Sequence, residues 1–266
     1  MSQVDVRPGT RPEQTLKGKV ALITGAAGGI GAAIVSAFRS AGARVLALDI
    51  KADALAVALG DLCLGDLGDD VRMRCCDLTR EDDVQAAIGA TVEMFGRIDV
   101  LVNGVATDEP RGSVVELSPE IWDQTFAANV RSAFLMSRAV VPVMVRSGGR
   151  SIVHIASQLG RVGSARRPLY CATKGALIQL AKAMAIDHAA EGIRVNALSP
   201  GAVATSRLAR RYGDLKAARD ALSGSHLLGR LAEPAEIAAA ALFLASDASS
   251  FVTGSDLLVD GGYTTV

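Results

Sequence analysis

Seven short, almost wholly apolar runs recur along the chain: Lys19–Thr24, Arg44–Asp49, Val71–Asp77, Ile98–Asn103, Ser151–Ser157, Ile193–Ser199 and Asp256–Asp260. They lack the in–out alternation of strands with one wet face. The pattern therefore predicts strands buried on both faces, as in a parallel sheet covered by helices. Longer, alanine-rich segments separate them and predict crossover helices over Gly29–Ala41, Arg80–Phe95, Ser118–Val145, Pro168–Ala190 and Pro234–Ala245. In the first, Ile30, Ile34, Val35 and Phe38 recur at helical spacing. Strand–helix alternation from end to end predicts an α/β, doubly wound domain: a mostly or wholly parallel seven-stranded sheet flanked by helices on both faces. One domain is expected over residues 17–266, behind a flexible lead-in over residues 1–16. The arginine-rich stretch 204–229 carries no strong periodicity. It is expected to be an excursion at the C-terminal ends of the strands, acting as a substrate lid.

Composition narrows the classes of function. Of 266 residues, 50% are hydrophobic and 21% charged, which fits a globular chain and excludes intrinsic disorder. Lys plus Arg and Asp plus Glu both total 28, so no net charge favours nucleic acid or an anionic membrane as partner. The longest apolar stretch, Ile237–Ala245, falls far short of the ~20 residues of a membrane span. The N-terminus has no apolar run of a signal peptide, so a cytoplasmic location is expected. Cys63, Cys75, Cys76 and Cys171 form no CxxC or Cys/His array, and neither a disulfide framework nor a metal site is expected.

The first strand runs into Thr24-Gly-Ala-Ala-Gly-Gly-Ile-Gly31. A strand, a glycine-rich turn and a helix start make an anion site, with free N–H groups and the helix dipole facing a pyrophosphate. The second strand ends in Asp49, near the ~20-residue offset of an acid that hydrogen-bonds ribose hydroxyls. A carboxylate there repels a 2′-phosphate, so NAD is expected over NADP, with Lys51 close enough to blur the preference.

Tyr170 and Lys174 stand one turn apart on a predicted helix, thirteen residues beyond Ser157. A free phenol titrates near 10, too high for a base at neutral pH. An ammonium ~4 Å away at an effective dielectric of ~20 is worth about 4 kcal/mol toward the phenolate. An oxidised nicotinamide would add to it, bringing the pair into the range of proton-transfer catalysis.

Together these residues resemble the short-chain dehydrogenase/reductases of the classical type, from about Leu16 to Gly262. The likeness rests on TGAAGGIG at 24–31, Asp49, Asp77 in CDLT, Asn103 in LVNG and Asn129 in ANV. It continues through Ser157, YCATK at 170–174, NALSPG ending at Gly201, Arg230 in GRLAEPAEIA and VTGSDLLVDGG. The resemblance implies a Rossmann-like fold and an NAD(H)-dependent interconversion of a secondary alcohol and a ketone. It implies Tyr170 as general acid/base, Ser157 bonded to the substrate oxygen, and Lys174 tuning the phenol and holding the nicotinamide ribose. Asn129 would support a proton relay. Gly25, Gly29, Ile30 and Gly31 would line the pyrophosphate turn, Asp77 would meet the adenine, and Asn103 would back its ribose. Pro200, Gly201, Val203 and Thr205 would hold the nicotinamide. A homotetramer is implied as well.

The chain departs from the family pattern in reading Asn103-Gly-Val-Ala106, in placing His154 two residues before Ala156, and in having Cys171 beside Tyr170. His154 is expected to be a hydrogen-bonded strand histidine. Arg166, Arg167, Arg207, Arg210 and Arg211 are expected around the substrate mouth, either as solvated loop charges or as ligands for a carboxylate or phosphate. Gln158 is placed to meet a second substrate oxygen. The alternatives are an NADPH-dependent 3-oxoacyl thioester reductase, against which Asp49 argues, and a non-catalytic nucleotide sensor. Retention of Asn129, Ser157, Tyr170 and Lys174 together argues against the sensor.

Overall fold

In a computed structural model, residues 15–63 and 70–265 are described. All seven expected strands form: Val20–Thr24 (β1), Arg44–Asp49 (β2), Val71–Cys75 (β3), Val100–Asn103 (β4), Ser151–Ile155 (β5), Arg194–Pro200 (β6) and Asp256–Val259 (β7). They make one sheet in the order β3-β2-β1-β4-β5-β6-β7, and every pairing is parallel. The expected fold class is the observed one. The inner strands must be apolar on both faces because alternate side chains enter different cores, whereas the edge strand β3, with Arg72 and Arg74, buries only Val71. Leu22, Leu101 and Ile152 join one cluster, whereas Ala21, Ile23, Val102 and Val153 join the cluster on the other face.

The helices are Gly29–Ser40 (α1), Ala52–Cys63 (α2), Glu81–Phe95 (α3), Pro119–Phe126 (α4), Ser132–Ser147 (α5), Pro168–His188 (α6), Ser206–Tyr212 (α7), Leu215–Leu222 (α8) and Pro234–Ala245 (α9). The core on one face takes Val84 and Ile88 of α3, Met136 and Met144 of α5, and Leu177 and Ala181 of α6. The other takes Ile34, Val35 and Phe38 of α1, Leu55 of α2, and Ile237 and Leu244 of α9. Burying a side chain such as Phe38 stabilises the fold by roughly 1.5–3 kcal/mol.

Four details differ from the pattern-based expectation. Helix α2 was not anticipated. The single helix expected over Ser118–Val145 is broken by a π-helical turn at Ala127–Arg131 between α4 and α5. Residues 204–229 are substantially helical rather than irregular: α7 and α8 bury Ala218 with Ala204 and Leu231 in a small core of their own. Leu16, assigned to the flexible lead-in, is 1% exposed in the α1 core, and its amide donates to Ala41 O at 2.9 Å. An apolar side chain next to a buried strand gains more from packing than from solvent freedom. The rest of that lead-in, except Thr15, lies outside the described residues.

Parallel pairing brings the C-terminal ends of all strands to one edge. Order reverses between β1 and β4, the place where a doubly wound sheet opens a crevice for ligands. Among the described residues no helix is long and apolar enough to cross a membrane.

Candidate active site

A cleft of about 1070 Å³ opens at that edge. Its walls come from the β1–α1 turn, the ends of β2, β5 and β6, residues 104–108, the start of α6, and α7. It brings together Gly25, Gly29, Ile30, Gly31, Asp49, Asp77, Ser157, Tyr170, Lys174, Pro200, Gly201, Val203 and Thr205. Of the catalytic and cofactor-binding residues expected from sequence, Asn103 and Asn129 do not line it, and neither does Arg166, expected at the mouth.

The glycine turn is shaped by a close backbone approach. Gly25 has φ +67°, and a Cβ there would lie 2.7 Å from Gly104 O. A Cβ on Gly104 would lie 2.6 Å from Thr24 O, while the Gly104 amide donates to Thr24 Oγ1 at 2.9 Å. The departure to Gly104 is thus required here: the two crossing segments leave no room for a side chain. Helix α1 has Gly28 as its N-cap, with no side-chain cap and no acid in its first turn. Its uncapped first turn, with Gly28–Gly31 lining the cleft, fits the diphosphate of a dinucleotide. Asp49 Oδ2 accepts from Ala27 N at 3.1 Å and Oδ1 from Ile50 N at 2.8 Å, which fixes a carboxylate beside that turn. Asp77 Oδ1 accepts from Thr79 N and Oγ1 at 3.0 and 2.7 Å.

Tyr170 and Lys174 share a face of α6. Lys174 is 1% exposed, its Nζ donates to Ile155 O at 2.7 Å and lies 5.8 Å from the Tyr170 ring centroid. Burial, with the charge of Arg207 adding to it and Glu109 opposing, brings the Lys174 ammonium down from its ordinary 10.5 to about 7. Ser157 ends the β5 segment in extended backbone and caps a short 3-10 turn, its Oγ accepting from Leu159 N at 3.2 Å. Asn129 sits on the π turn. Its Oδ1 accepts from Thr107 N at 2.9 Å and its Nδ2 donates to Thr173 Oγ1 at 3.4 Å. It therefore braces the wall of the cleft against the residue preceding Lys174. π turns of this kind recur at functional sites.

Asn103 points away from the cleft, its Nδ2 bonded to Ser137 Oγ at 3.3 Å and 3.2 Å from His154 Nδ1. His154 is fully buried, and burial followed by the charge of Lys174 pushes it down to about 4, so it is neutral at pH 7. Gln158 is buried on the cleft wall, and its Oε1 has no protein partner.

Two residues that sequence reasoning missed organise the mouth. Glu109, in an otherwise unremarked loop, has a side chain 1% exposed and accepts from Arg167, Arg207 and Arg211 at 2.6, 3.2 and 3.3 Å. His226 Nε2 accepts from Ala202 N at 3.2 Å while Nδ1 donates to Leu222 O at 3.0 Å, tying α8 to the strand end after Gly201. No local pattern marks either one: Glu109 gathers arginines 58 to 102 residues away, and His226 accepts from an amide 24 residues before it.

A family model described as Enoyl-(Acyl carrier protein) reductase matches residues 25–264. D-threitol dehydrogenase of Mycolicibacterium smegmatis is 45% identical over 254 residues, covering 94% of each chain. NAD-dependent glycerol dehydrogenase of Listeria innocua is 36% identical over 253 residues, covering 92% of this chain and 94% of its own. The crystal structure of gox2181 superimposes with a TM-score of 0.88 at 32% identity, covering 96% of this chain and 98% of that one.

Proposed function

The chain belongs to the short-chain dehydrogenase/reductase family, and from that premise we propose that it interconverts a small, hydroxyl-rich secondary alcohol and its ketone with NAD(H), Tyr170 exchanging the proton. The observation that carries this reading is the cleft wall itself, where Ser157, Tyr170 and the buried Lys174 stand beside a glycine turn suited to a diphosphate. When bound, the nicotinamide ring supplies hydride acceptance and donation. Tyr170 removes the carbinol proton in oxidation and returns it in reduction, while the Ser157 hydroxyl holds the same oxygen. Lys174 keeps positive charge or a donor beneath the phenol, and Asn129 holds the wall behind it. The unpartnered Gln158 Oε1 accepts from a second substrate hydroxyl.

The preference for NAD is supported by the Asp49 carboxylate, which two backbone amides hold beside the glycine turn. The named activities of the threitol and glycerol dehydrogenases support a polyol-like substrate. An NADPH-dependent 3-oxoacyl thioester reductase is the second reading; the matched family model's description shares with it only an acyl-carrier substrate, and Asp49 opposes it. We include a homotetramer in the reading, with α5 and α6 as contact faces, because Phe134, Val145 and Ile186 on these helices are exposed; light scattering tests it.

Turnover on a panel of secondary alcohols and ketones, with NADH fluorescence as the binding measure, tests the assignment. Tyr170→Phe is expected to bind NADH as the parent does and to lose at least ~10²-fold in kcat. A nearly unchanged kcat removes Tyr170 from the role.

A further inference from the structure

Five guanidinium groups, those of Arg111, Arg167, Arg207, Arg210 and Arg211, line the cleft alongside Tyr170. Glu109 does not line it. It stands behind three of them as a shared buried anchor. At the rim, Asp108 takes Arg207 Nε at 2.8 Å and Arg210 Nη2 at 3.3 Å. Two carboxylates thus face five permanent cations, and the cations front the cavity. Mere solvated charges would be exposed, yet the side chains of Arg167 and Arg211 are only 13% and 18% exposed. Uncompensated charge at that depth is destabilising until an anion meets it.

Two details direct this excess inward. The buried Nε of Arg167 has no acceptor in the protein. Arg166, just before it, has φ +60° and is the one non-glycine residue with positive φ among the described residues. That backbone sends neighbouring arginines apart: Arg166 turns out to Glu116 at 3.0 Å, and Arg167 turns in over the Tyr170 ring, 4.2 Å from its centroid. A left-handed non-glycine residue is strained and persists where its surroundings hold it. Arg207 also lies over that ring, at 5.7 Å, and bonds Thr107 O. Arginine forks so placed match carboxylate or phosphate oxygens in paired hydrogen bonds.

We propose that this cluster is an anion subsite: the substrate carries a carboxylate or phosphate beyond its reacting carbinol, and Arg167 and Arg207 hold it while Glu109 holds them. This rests on the reading of the cleft as a dehydrogenase site and narrows its substrate class to hydroxy acids or hydroxyalkyl phosphates.

Rates of NAD reduction on pairs sharing a carbon skeleton test it: threitol against threonate, and glycerol against glycerol 3-phosphate. The expected result is a kcat/KM at least tenfold higher for an anionic member than for its neutral partner. Which pair shows it separates carboxylate from phosphate. Arg167→Gln and Arg207→Gln should each reduce that ratio tenfold or more, with KM for NAD changed less than twofold. Equal or better turnover of the neutral members overturns the subsite and leaves the dehydrogenase reading standing. Variants that raise KM for NAD and keep the ratio also overturn it, assigning the arginines to the cofactor. If NADH binds but no secondary alcohol, neutral or anionic, is oxidised, the dehydrogenase reading itself fails.

Discussion

Replacing Lys174 by methionine isolates the consequence of burying an ammonium beneath the phenol. In the folded, cofactor-free protein this group releases its proton near 7, against 10.5 ordinarily. That gap, at ~1.4 kcal/mol per pH unit, amounts to about 5 kcal/mol of penalty on the charged form. Methionine removes the penalty and forfeits the bond to Ile155 O, whose unpaired carbonyl costs ~1–3 kcal/mol. Lys174→Met is therefore expected to be the more stable protein at pH 6–7, by ~2–4 kcal/mol. The pH dependence is the sharper test. Between about 7 and 10.5 the unfolded chain holds a proton that the folded chain has lost, so the parent gains stability as pH rises. The advantage of the variant should shrink by about 2 kcal/mol from pH 7.5 to 9. Urea unfolding of both proteins without cofactor at pH 6, 7.5 and 9 measures it. Parallel curves across that range would refute a buried, depressed Lys174.

Three further outcomes are expected. Asp49→Ser should raise the ratio of kcat/KM with NADP to that with NAD at least tenfold; an unmoved ratio removes the carboxylate from cofactor choice. Glu109→Gln leaves three arginines around a neutral anchor and should lower unfolding stability by about 3 kcal/mol; calorimetry showing no loss means the arginines find other partners. Gly104→Ala forces a methyl against Thr24 O and should cost ~1–3 kcal/mol and weaken NADH binding, read by denaturation and fluorescence titration. A fully tolerated alanine would show that the two segments are free to part.

The sheet was legible because buried parallel strands must be apolar on both sides, as in Val20–Thr24 and Ser151–Ile155. The cleft residues were legible as ordered motifs, and the cleft does gather Ser157, Tyr170 and Lys174. Contacts built across the chain were not legible. Asn103 and His154 are on adjacent strands, and only their register turns the amide inward. Glu109 meets Arg167, Arg207 and Arg211 across 58, 98 and 102 residues, a separation no window of periodicity spans. The charge beside Tyr170 also differs from the simple tyrosine–lysine picture. Lys174 Nζ is 5.8 Å from the ring centroid, and Arg167 and Arg207 stand at 4.2 and 5.7 Å. The arginine-rich α7 hid its helix because only Leu208 and Tyr212 pack against the small core, while Arg207, Arg210 and Arg211 face ionic partners.

The π turn between α4 and α5 gives the helix one surplus residue, and with it a phase slip. Excising a single alanine, Ala127 or Ala128, would let the ladder close into a regular α-helix, a change the fold could absorb. Because the wide turn absorbs that surplus residue, the same deletion would leave the core face of α5 in place and carry the Asn129 amide off Thr107 and Thr173. Foldability and chemistry thus pull in opposite directions at this one point, and the irregularity records which of them prevailed.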